Sequence, residues 1–254
     1  MGCLAIIRLS LLETLRRKDF YVVLVLVFLL ATWVVTMNPG GAGAGRFAKD
    51  IVMQVIWLAS FALTAPLAAR QISSDLEQKT IYVLMSRPIE RWHYIFGRAA
   101  GAAVAAIVCF SSMFIALITM MFLKGTGVTD VSLWQAFALQ IVALVMLCAV
   151  TVFFSITGSP AGAVTFSLLS VGIMRYGGYA MLDKIANMHG QWRGVIWAGY
   201  VILPHFEFFS ISQRVVHGWG AMPTDLFVPV LIYGAAYSIF ATAFAAYLFK
   251  RRWL

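Results

Sequence analysis

Long apolar runs alternate with short polar intervals along almost the whole chain. The uncharged runs cover 20–37, 51–69, 99–123, 132–157, 161–174 and 226–249. A helix needs roughly 20 apolar residues to cross the hydrocarbon core of a bilayer, and all of these runs except 161–174 approach or exceed that length. The pattern predicts an all-α, polytopic membrane protein in which 1–254 forms one transmembrane domain with six spans.

Two further segments are expected to be helical without crossing the membrane. Leu4, Ile7 and Leu11 share one helical face within 1–19, and the arginines lie elsewhere, so this segment predicts an amphipathic helix on anionic membrane lipids. In 175–225 the longest apolar stretch is too short to cross, and tryptophans and tyrosines flank it. This region predicts external interfacial or re-entrant helices that are broken at Pro204.

The composition agrees with a membrane protein, and the basic residues give an orientation. The chain is 62% hydrophobic and 11% charged, whereas a soluble domain has about 25% charged residues. Of the Lys and Arg residues, twelve lie on the side of 1–19, 70–98 and the C-terminus, and seven lie on the other side. The positive-inside rule therefore places both termini in the cytoplasm, in the cell (inner) membrane. Because topology explains the net charge of +9, no nucleic-acid partner is predicted.

The interval 70–98 is the most distinctive polar segment. It carries five basic and three acidic side chains, and its apolar residues, beginning with Ile72 and Leu76, recur near helical spacing. Pro88 ends the helix because proline lacks an N–H group and disfavours α geometry in the preceding residue. The segment predicts an amphipathic cytoplasmic helix, which is either a simple linker or a contact surface.

Motifs for catalysis or cofactor binding are missing from the sequence. The glycine-rich stretch GGAGAGRF lacks the Lys-Ser/Thr pair of a phosphate-binding loop, so the chain itself is not expected to be an ATPase or another enzyme. The external histidines, His189, His205 and His217, lack the i, i+4 spacing of a helical metal site. The sequence therefore predicts no cofactor and no metal in this chain.

Four isolated polar residues are expected to have structural and not catalytic roles. Gln54 and Gln140 are the strongly polar side chains within the predicted spans, and interhelical hydrogen bonds are their expected role. Asp183 and Glu207 lie in the external aromatic region, where we expect solvated or salt-bridged carboxylates. None of these residues predicts catalysis.

The stretch SSDLEQKTIYVLMSRPIERWHYIFGR resembles the cytoplasmic segment of ABC-2 type transporter permeases. That segment has the pattern E-x-x-G-T, two leucines, a small residue, Pro, Arg, and then Gly-Lys at the start of the next span. The residues here at those positions are Glu77, Thr80, Leu84, Ser86, Pro88, Arg91, Gly97 and Arg98. Lys79 replaces the glycine and Arg98 the lysine. The external LPHFEFF is similar to the family's Pro-Phe-Glu element, and the group with the nitrous-oxide-reductase maturation permease looks closest.

The resemblance implies a permease subunit that exports an unidentified substrate. The energy would come from ATP, bound with Mg²⁺ by a separate ATP-binding subunit. Two permease chains would pair as a homodimer or heterodimer, and the external region leaves room for a periplasmic partner. Gly97 would act as a hinge. The residues that would contact the ATP-binding subunit are Asp75, Glu77, Thr80, Ile81, Leu84, Pro88 and Arg91.

Two other classes of protein stay open at this point. A membrane-embedded lipid-modifying enzyme requires His, Asp or Glu side chains that converge at the membrane interface, and only His205 and Glu207 approach that arrangement in the sequence. An ATP-independent scaffold or channel subunit requires no such cluster. An adjacent reading frame for an ABC ATPase would favour the permease over both.

Overall fold

The computed structural model describes residues 44–77, 91–123, 130–187 and 192–252, together with single helical positions at 12, 21, 25, 29 and 32. The predicted amphipathic helix at 1–19 and the predicted span at 20–37 lie outside the described residues, apart from those single positions. The described part is helical and contains no strand.

Most of the described structure consists of long helices. Of the seven α-helices (α1–α7) within the described ranges, three are 33, 34 and 29 residues long, and two more have 27 and 28. In chain order they are α1 (Ala44–Glu77), α2 (Arg91–Leu123), α3 (Val131–Thr157), α4 (Pro160–Asn187), α5 (Trp192–Ile202), a 3₁₀ turn (Phe206–Phe209), α6 (Ser212–His217) and α7 (Thr224–Arg252).

The central helix is α3, which packs against α1, α2, α4 and α7. It has no charged residue and is apolar on all sides, which is the pattern of a helix that is buried all round. In the most apolar stretch of α3, 61% of the residues are buried, whereas the corresponding value for α7 is 22%. The other long helices therefore surround α3, and α7 keeps a wide apolar face at the rim of the bundle.

Four of the described helices are long and apolar enough to cross a membrane. They include Asp50–Ile72, Trp92–Thr119, Val131–Thr157 and Thr224–Arg251, and a fifth span results if the bent pair Arg193–Ile202 and Phe206–His217 counts as one. The predicted spans at 51–69, 99–123, 132–157 and 226–249 correspond to these four helices. The chain is therefore a multi-pass helical membrane protein, and the six-span arrangement remains a prediction.

The predicted span at 161–174 lies in α4, which is longer than expected. This helix continues to Asn187 and so takes in the first part of the region 175–225 that was predicted to be external. From Pro160, next to the end of α3, to Gly178 it rises roughly 27 Å, about the thickness of a hydrocarbon core. It is not among the four helices above, because glycines, serines and Arg175 interrupt its apolar run.

The long helices run up and down, so the bundle has two distinct ends. At one end Ile72, Tyr94, Ile95 and Phe249 pack in the same buried cluster, and the Ser155 hydroxyl donates to the Ala69 carbonyl at 2.9 Å. We call this the basic end, since Arg70, Arg98, Lys250 and Arg251 lie there. The opposite end holds the start of α1, the end of α2 and the helices between α4 and α7.

The helices extend further into the polar interval 70–98 than the sequence indicated. Pro66 does not end α1, which continues to Glu77, and α2 already begins at Arg91. The reason is packing, because Ile72 and Ile95 are fully buried on faces that continue those of the spans. Only 78–90 is left between the two helices, and it lies outside the described residues.

Gly234 is the point at which α7 approaches α3 and the 3₁₀ turn most closely. A Cβ atom there would lie 2.3 Å from Cγ1 of Val142 and 2.8 Å from Cζ of Phe209. Valine is stiff at χ1 and a packed phenyl ring cannot retreat easily, so neither neighbour yields at low cost. The absence of a side chain at this position therefore sets the distance between α7 and the core.

We expect Gly234→Ala to destabilise the bundle, because such overpacking typically costs about 1–3 kcal/mol. The control is Gly172→Ala in α4, where a Cβ would meet no atom within 4 Å. The control should be neutral or slightly stabilising, since alanine is the better helix former. Thermal unfolding of the purified chain in detergent measures both, and equal melting temperatures for the two variants would contradict this packing.

Candidate functional site

A sharp break in the chain forms the centre of the opposite end. The segments Arg193–Ile202 and Phe206–His217 meet at a bend of 46°, with Pro204 buried between them. Proline has no N–H to donate and disfavours helical geometry at Leu203, so the helix cannot continue. The chain bends through a tight turn in which the Phe206 N–H donates to the Pro204 carbonyl at 2.9 Å. The break occurs at the residue that the sequence predicted.

The carboxyl group of Glu207 is buried just after this break. The residue is only 2% exposed, and its Oε1 accepts a hydrogen bond of 2.8 Å from the Tyr200 hydroxyl. Its Oε2 is also buried and has no hydrogen-bond partner among the described residues. The expectation of a solvated or salt-bridged carboxylate at Glu207 is therefore wrong, because the bend at Pro204 brings this side chain against Gly178 of α4.

Gly178 of α4 provides the space that the Glu207 carboxyl group occupies. A Cβ atom at this position would lie 1.6 Å from Oε2 and 2.5 Å from Cδ of Glu207. The adjacent Gly177 differs, since a Cβ there would meet nothing within 4 Å. Glycine is therefore required at 178 for close approach, whereas at 177 it is not.

Two tyrosines of α7 form hydrogen bonds with residues on either side of Pro204. The backbone N–H of His205 donates to the Tyr233 hydroxyl oxygen at 3.2 Å, and Nδ1 of His205 lies 3.0 Å from the same oxygen. Tyr237 donates its hydroxyl proton to the Ile202 carbonyl at 2.9 Å. These contacts satisfy backbone groups that the broken helix leaves without intrahelical partners.

His205 and Glu207 form hydrogen bonds with different tyrosines. His205 bonds to Tyr233, and Glu207 bonds to Tyr200, whose ring lies edge-on to the His205 ring with centroids 4.4 Å apart. Within the described residues no group of three or more His, Cys, Asp or Glu side chains could hold a metal ion. The hydrogen bonds at the break hold the neighbouring helices together.

The two glutamines predicted to bond between helices do so. Nε2 of Gln140 in α3 donates to the Ser60 hydroxyl of α1 at 2.8 Å. Nε2 of Gln54 in α1 lies at the longer distance of 3.4 Å from the Ser212 hydroxyl of α6. Both contacts connect α1 to its neighbours, and this confirms the interhelical role inferred from the sequence.

At the basic end a buried arginine connects the helices that lead into and out of the interval 78–90. Arg98 of α2 is 2% exposed, and its Nη1 donates to Oε1 of Gln71 in α1 at 3.0 Å. A hydrogen bond to a charged group is stronger than a neutral one, and burial increases the cost of breaking it. The bond therefore fixes α1 against α2 at the base of the predicted contact segment.

Only some of the predicted contact residues lie within the described part of the chain. Asp75 and Glu77 belong to the last turns of α1, and Arg91 is the first residue of α2. Gly97, the predicted hinge, is buried within an unbroken helix. The remaining predicted contacts, Thr80, Ile81, Leu84 and Pro88, lie outside the described residues. The roles of all eight remain predictions.

Sequence reasoning missed three residues that determine this geometry, namely Gln71, Gly178 and Tyr233. Gln71 and Tyr233 pair with residues 27 and 28 positions away, which no local pattern reveals. The pair Gly177-Gly178 within a helix was an available signal, because glycine in a helix interior costs stability and often marks close packing.

These features define a class of protein. Several helices are long enough to span a membrane. A buried hydrogen bond joins two of them at the basic end, and a broken helix lies at the other end. The chain is therefore a multi-pass membrane domain, and its described residues form no catalytic centre. The profile of the family described as ABC-2 family transporter protein matches residues 48–252. The chain belongs to this family, and it is a permease-type membrane component of an ABC transporter. No curated protein matches the chain.

We expect Gly178→Ala to displace the Glu207 carboxyl group and to break its hydrogen bond with Tyr200. Loss of a hydrogen bond that involves an ionisable group typically costs about 1.5–3 kcal/mol, so the melting temperature should fall. Gly177→Ala is the matched control and should not destabilise the protein.

A double-mutant cycle tests the cause of that loss. In a Glu207→Ala background the methyl group at 178 meets no carboxylate, so Gly178→Ala should cost clearly less than in the wild type. If the two substitutions are additive in thermal unfolding, the contact between Gly178 and Glu207 is not the reason for the destabilisation.

Proposed function

We propose that this chain is the permease subunit of an ABC exporter, and that a separate ATP-binding subunit docks on the segment 70–98. That subunit would bind and hydrolyse ATP with Mg²⁺, because the sequence of this chain has no phosphate-binding loop. The observation that carries the proposal is the buried bond between Gln71 and Arg98. It lies where α1 and α2 converge on the segment that resembles the contact segment of ABC-2 permeases.

The proposed contact combines charge and apolar surface. Asp75, Glu77 and Arg91 would give polar contacts, while Ile81 and Leu84 would enter an apolar groove of the ATP-binding subunit. A short amphipathic helix in a groove is a common recognition mode. The substrate stays unidentified, and the export direction rests on the family resemblance.

Movement would be transmitted through the rigid contact between α1 and α2 at Gln71 and Arg98. Because the Gln71–Arg98 bond is buried and charge-assisted, a displacement of the segment would move α1 and α2 together. Gly97 lies directly beside this bond and is the proposed hinge. ATP-driven closure of two ATP-binding subunits would then tilt the helices of two paired permease chains.

The proposed orientation puts the basic end in the cytoplasm of the cell (inner) membrane. Arg70, Arg98, Lys250 and Arg251 lie at this end, and the positive-inside rule favours a cytoplasmic location for such a cluster. The broken helix would then face outward, where a substrate or a periplasmic partner would approach it.

We expect Glu77→Arg combined with Leu84→Asp to abolish co-purification of the ATP-binding subunit, because the variant reverses one contact charge and places a carboxylate in an apolar groove. The control is Asp183→Arg, an equal charge reversal at an exposed site of α4. Affinity purification from the native membrane measures both. A complex that survives the double substitution with unchanged ATPase activity would contradict the docking proposal.

A second variant separates docking from transmission. Arg98→Met keeps a long apolar stem but removes the donor to Gln71, so we expect the ATP-binding subunit to bind while the permease no longer stimulates its ATPase activity. Leaving the side-chain carbonyl of Gln71 without its donor costs about 1–3 kcal/mol, and adding Gln71→Leu should restore much of that stability without restoring the stimulation.

Arg251→Met is the control, since Arg251 is exposed at the same end of the bundle. The ATPase activity of the complex in proteoliposomes, compared with that of the ATP-binding subunit alone, gives the readout for all three variants. Wild-type stimulation of ATPase activity in Arg98→Met would show that the bond does not transmit movement.

A further inference from the structure

The extension of α4 beyond the predicted span brings Arg175 to membrane depth. Along the axis of α4 this residue lies about 22 Å from Pro160, whereas the hydrocarbon core of a bilayer is about 30 Å thick. A charged side chain inside a bilayer is costly and rare, and where one occurs it typically contacts an ion, a substrate or another charged group. Arg175 therefore calls for a partner.

Within the protein Arg175 has no such partner. No hydrogen bond or ion pair joins its guanidinium to another residue in the described part of the chain, and its Nε is fully enclosed without an acceptor. The carboxyl group of Glu207 at the same end is bonded to Tyr200 instead. Nη1 and Nη2 are not enclosed as Nε is, and the residue as a whole is part-exposed, so these two donor groups are open to a ligand.

The indole ring of Trp57 in α1 supports the guanidinium of Arg175. The Cζ atom of Arg175 lies 5.1 Å from the centroid of this ring. The ring itself is held by Phe61, which is 2% exposed and packs edge-on to it with centroids 4.4 Å apart. A guanidinium that lies over an aromatic ring uses its face for that contact and keeps its in-plane N–H groups for an anion. The Nη donors are therefore held in position and remain available.

The surroundings of Arg175 suit a ligand that also has apolar parts. Helices α1 and α4 pack together, and each has apolar side chains on its outer surface, including Leu58 next to Trp57 and Leu169 further down α4, which are 61% and 51% exposed. Gly172 lies one turn from Arg175, and a Cβ atom there would meet no atom within 4 Å. Space beside the guanidinium is therefore open, and the surface next to it is apolar.

We propose that Arg175 binds a phosphate group, supplied by a phospholipid in the leaflet at the opposite end, with Nη1 and Nη2 donating to the phosphate oxygens. The planar guanidinium presents N–H donors that match two phosphate oxygens at once. Local thinning of the bilayer brings lipid phosphates to a charge inside the core, and the acyl chains would pack on the apolar surface of α1 and α4. The proposal does not rest on the docking of an ATP-binding subunit.

The test is native mass spectrometry of the full chain purified in detergent. The probes are dioleoylphosphatidylglycerol and dioleoylglycerol, which have the same acyl chains but differ in the phosphate-containing headgroup. We expect the wild-type chain to bind the phospholipid about tenfold more tightly or better, since a hydrogen bond to a charged group is worth about that factor.

Substitutions of Arg175 decide whether this residue recognises the phosphate. Arg175→Met keeps an apolar stem and should remove most of the preference for the phospholipid. Arg175→Lys keeps the charge but loses the planar fork, so we expect a smaller loss of about threefold. Arg193→Gln, which removes an exposed charge at the start of α5, is the control and should leave the preference unchanged. The lysine variant is the second test if the methionine variant does not fold.

Competition distinguishes the two sources of the phosphate group. Displacement of the phospholipid by soluble glycerol 3-phosphate identifies a free phosphate as a ligand, whereas resistance to it identifies the lipid headgroup, and either result supports the site. Equal binding of the two lipids by the wild-type chain overturns the proposal. A preference that is unchanged in the folded Arg175 variants, or one that Arg193→Gln lowers as much as they do, overturns it as well.

Discussion

Polar groups on α1 bond to neighbouring helices at several levels, and the arrangement of the bundle depends on these bonds. In apolar surroundings a buried donor or acceptor without a partner is costly, so each polar group fixes the helix that satisfies it. Near one end of α1 Gln54 contacts α6, further along Ser60 accepts from Gln140 of α3, and at the basic end Gln71 accepts from Arg98 of α2. The Ala69 carbonyl adds a bond from α3. Helix α1 therefore connects both ends of the bundle through the same physical constraint.

The proposed function uses this connection. A push on the segment 70–98 would reach α1 and α2 through Gln71 and Arg98, and α3 would follow because it is bonded to α1 at two levels. At the far end α1 contacts the segment after the break, and Glu207 holds that segment against α4.

The sequence predicted the regular parts of this fold well. Span 132–157 matched α3 within one residue, because no charge interrupts it and Pro160 follows it closely. Pro204 also marked the break correctly. One error concerns Glu207, which was expected to be solvated or salt-bridged and is buried with Tyr200. The other concerns the lengths of α1 and α2, which extend beyond the apolar runs to bury Gln71 and Arg98 as a pair. Such pairings join distant positions, and hydropathy carries no information about them.

Site-specific photocrosslinking in cells tests the central claim, that an ATP-binding subunit docks on the segment 70–98. The crosslinker p-benzoylphenylalanine would replace Ile81 or Leu84, and in a control it would replace Val201, which is exposed on α5. The account predicts that positions 81 and 84 capture a protein with an ATP-binding loop, whereas position 201 does not. Absence of such a protein at both 81 and 84, or its capture only at 201, would contradict the account.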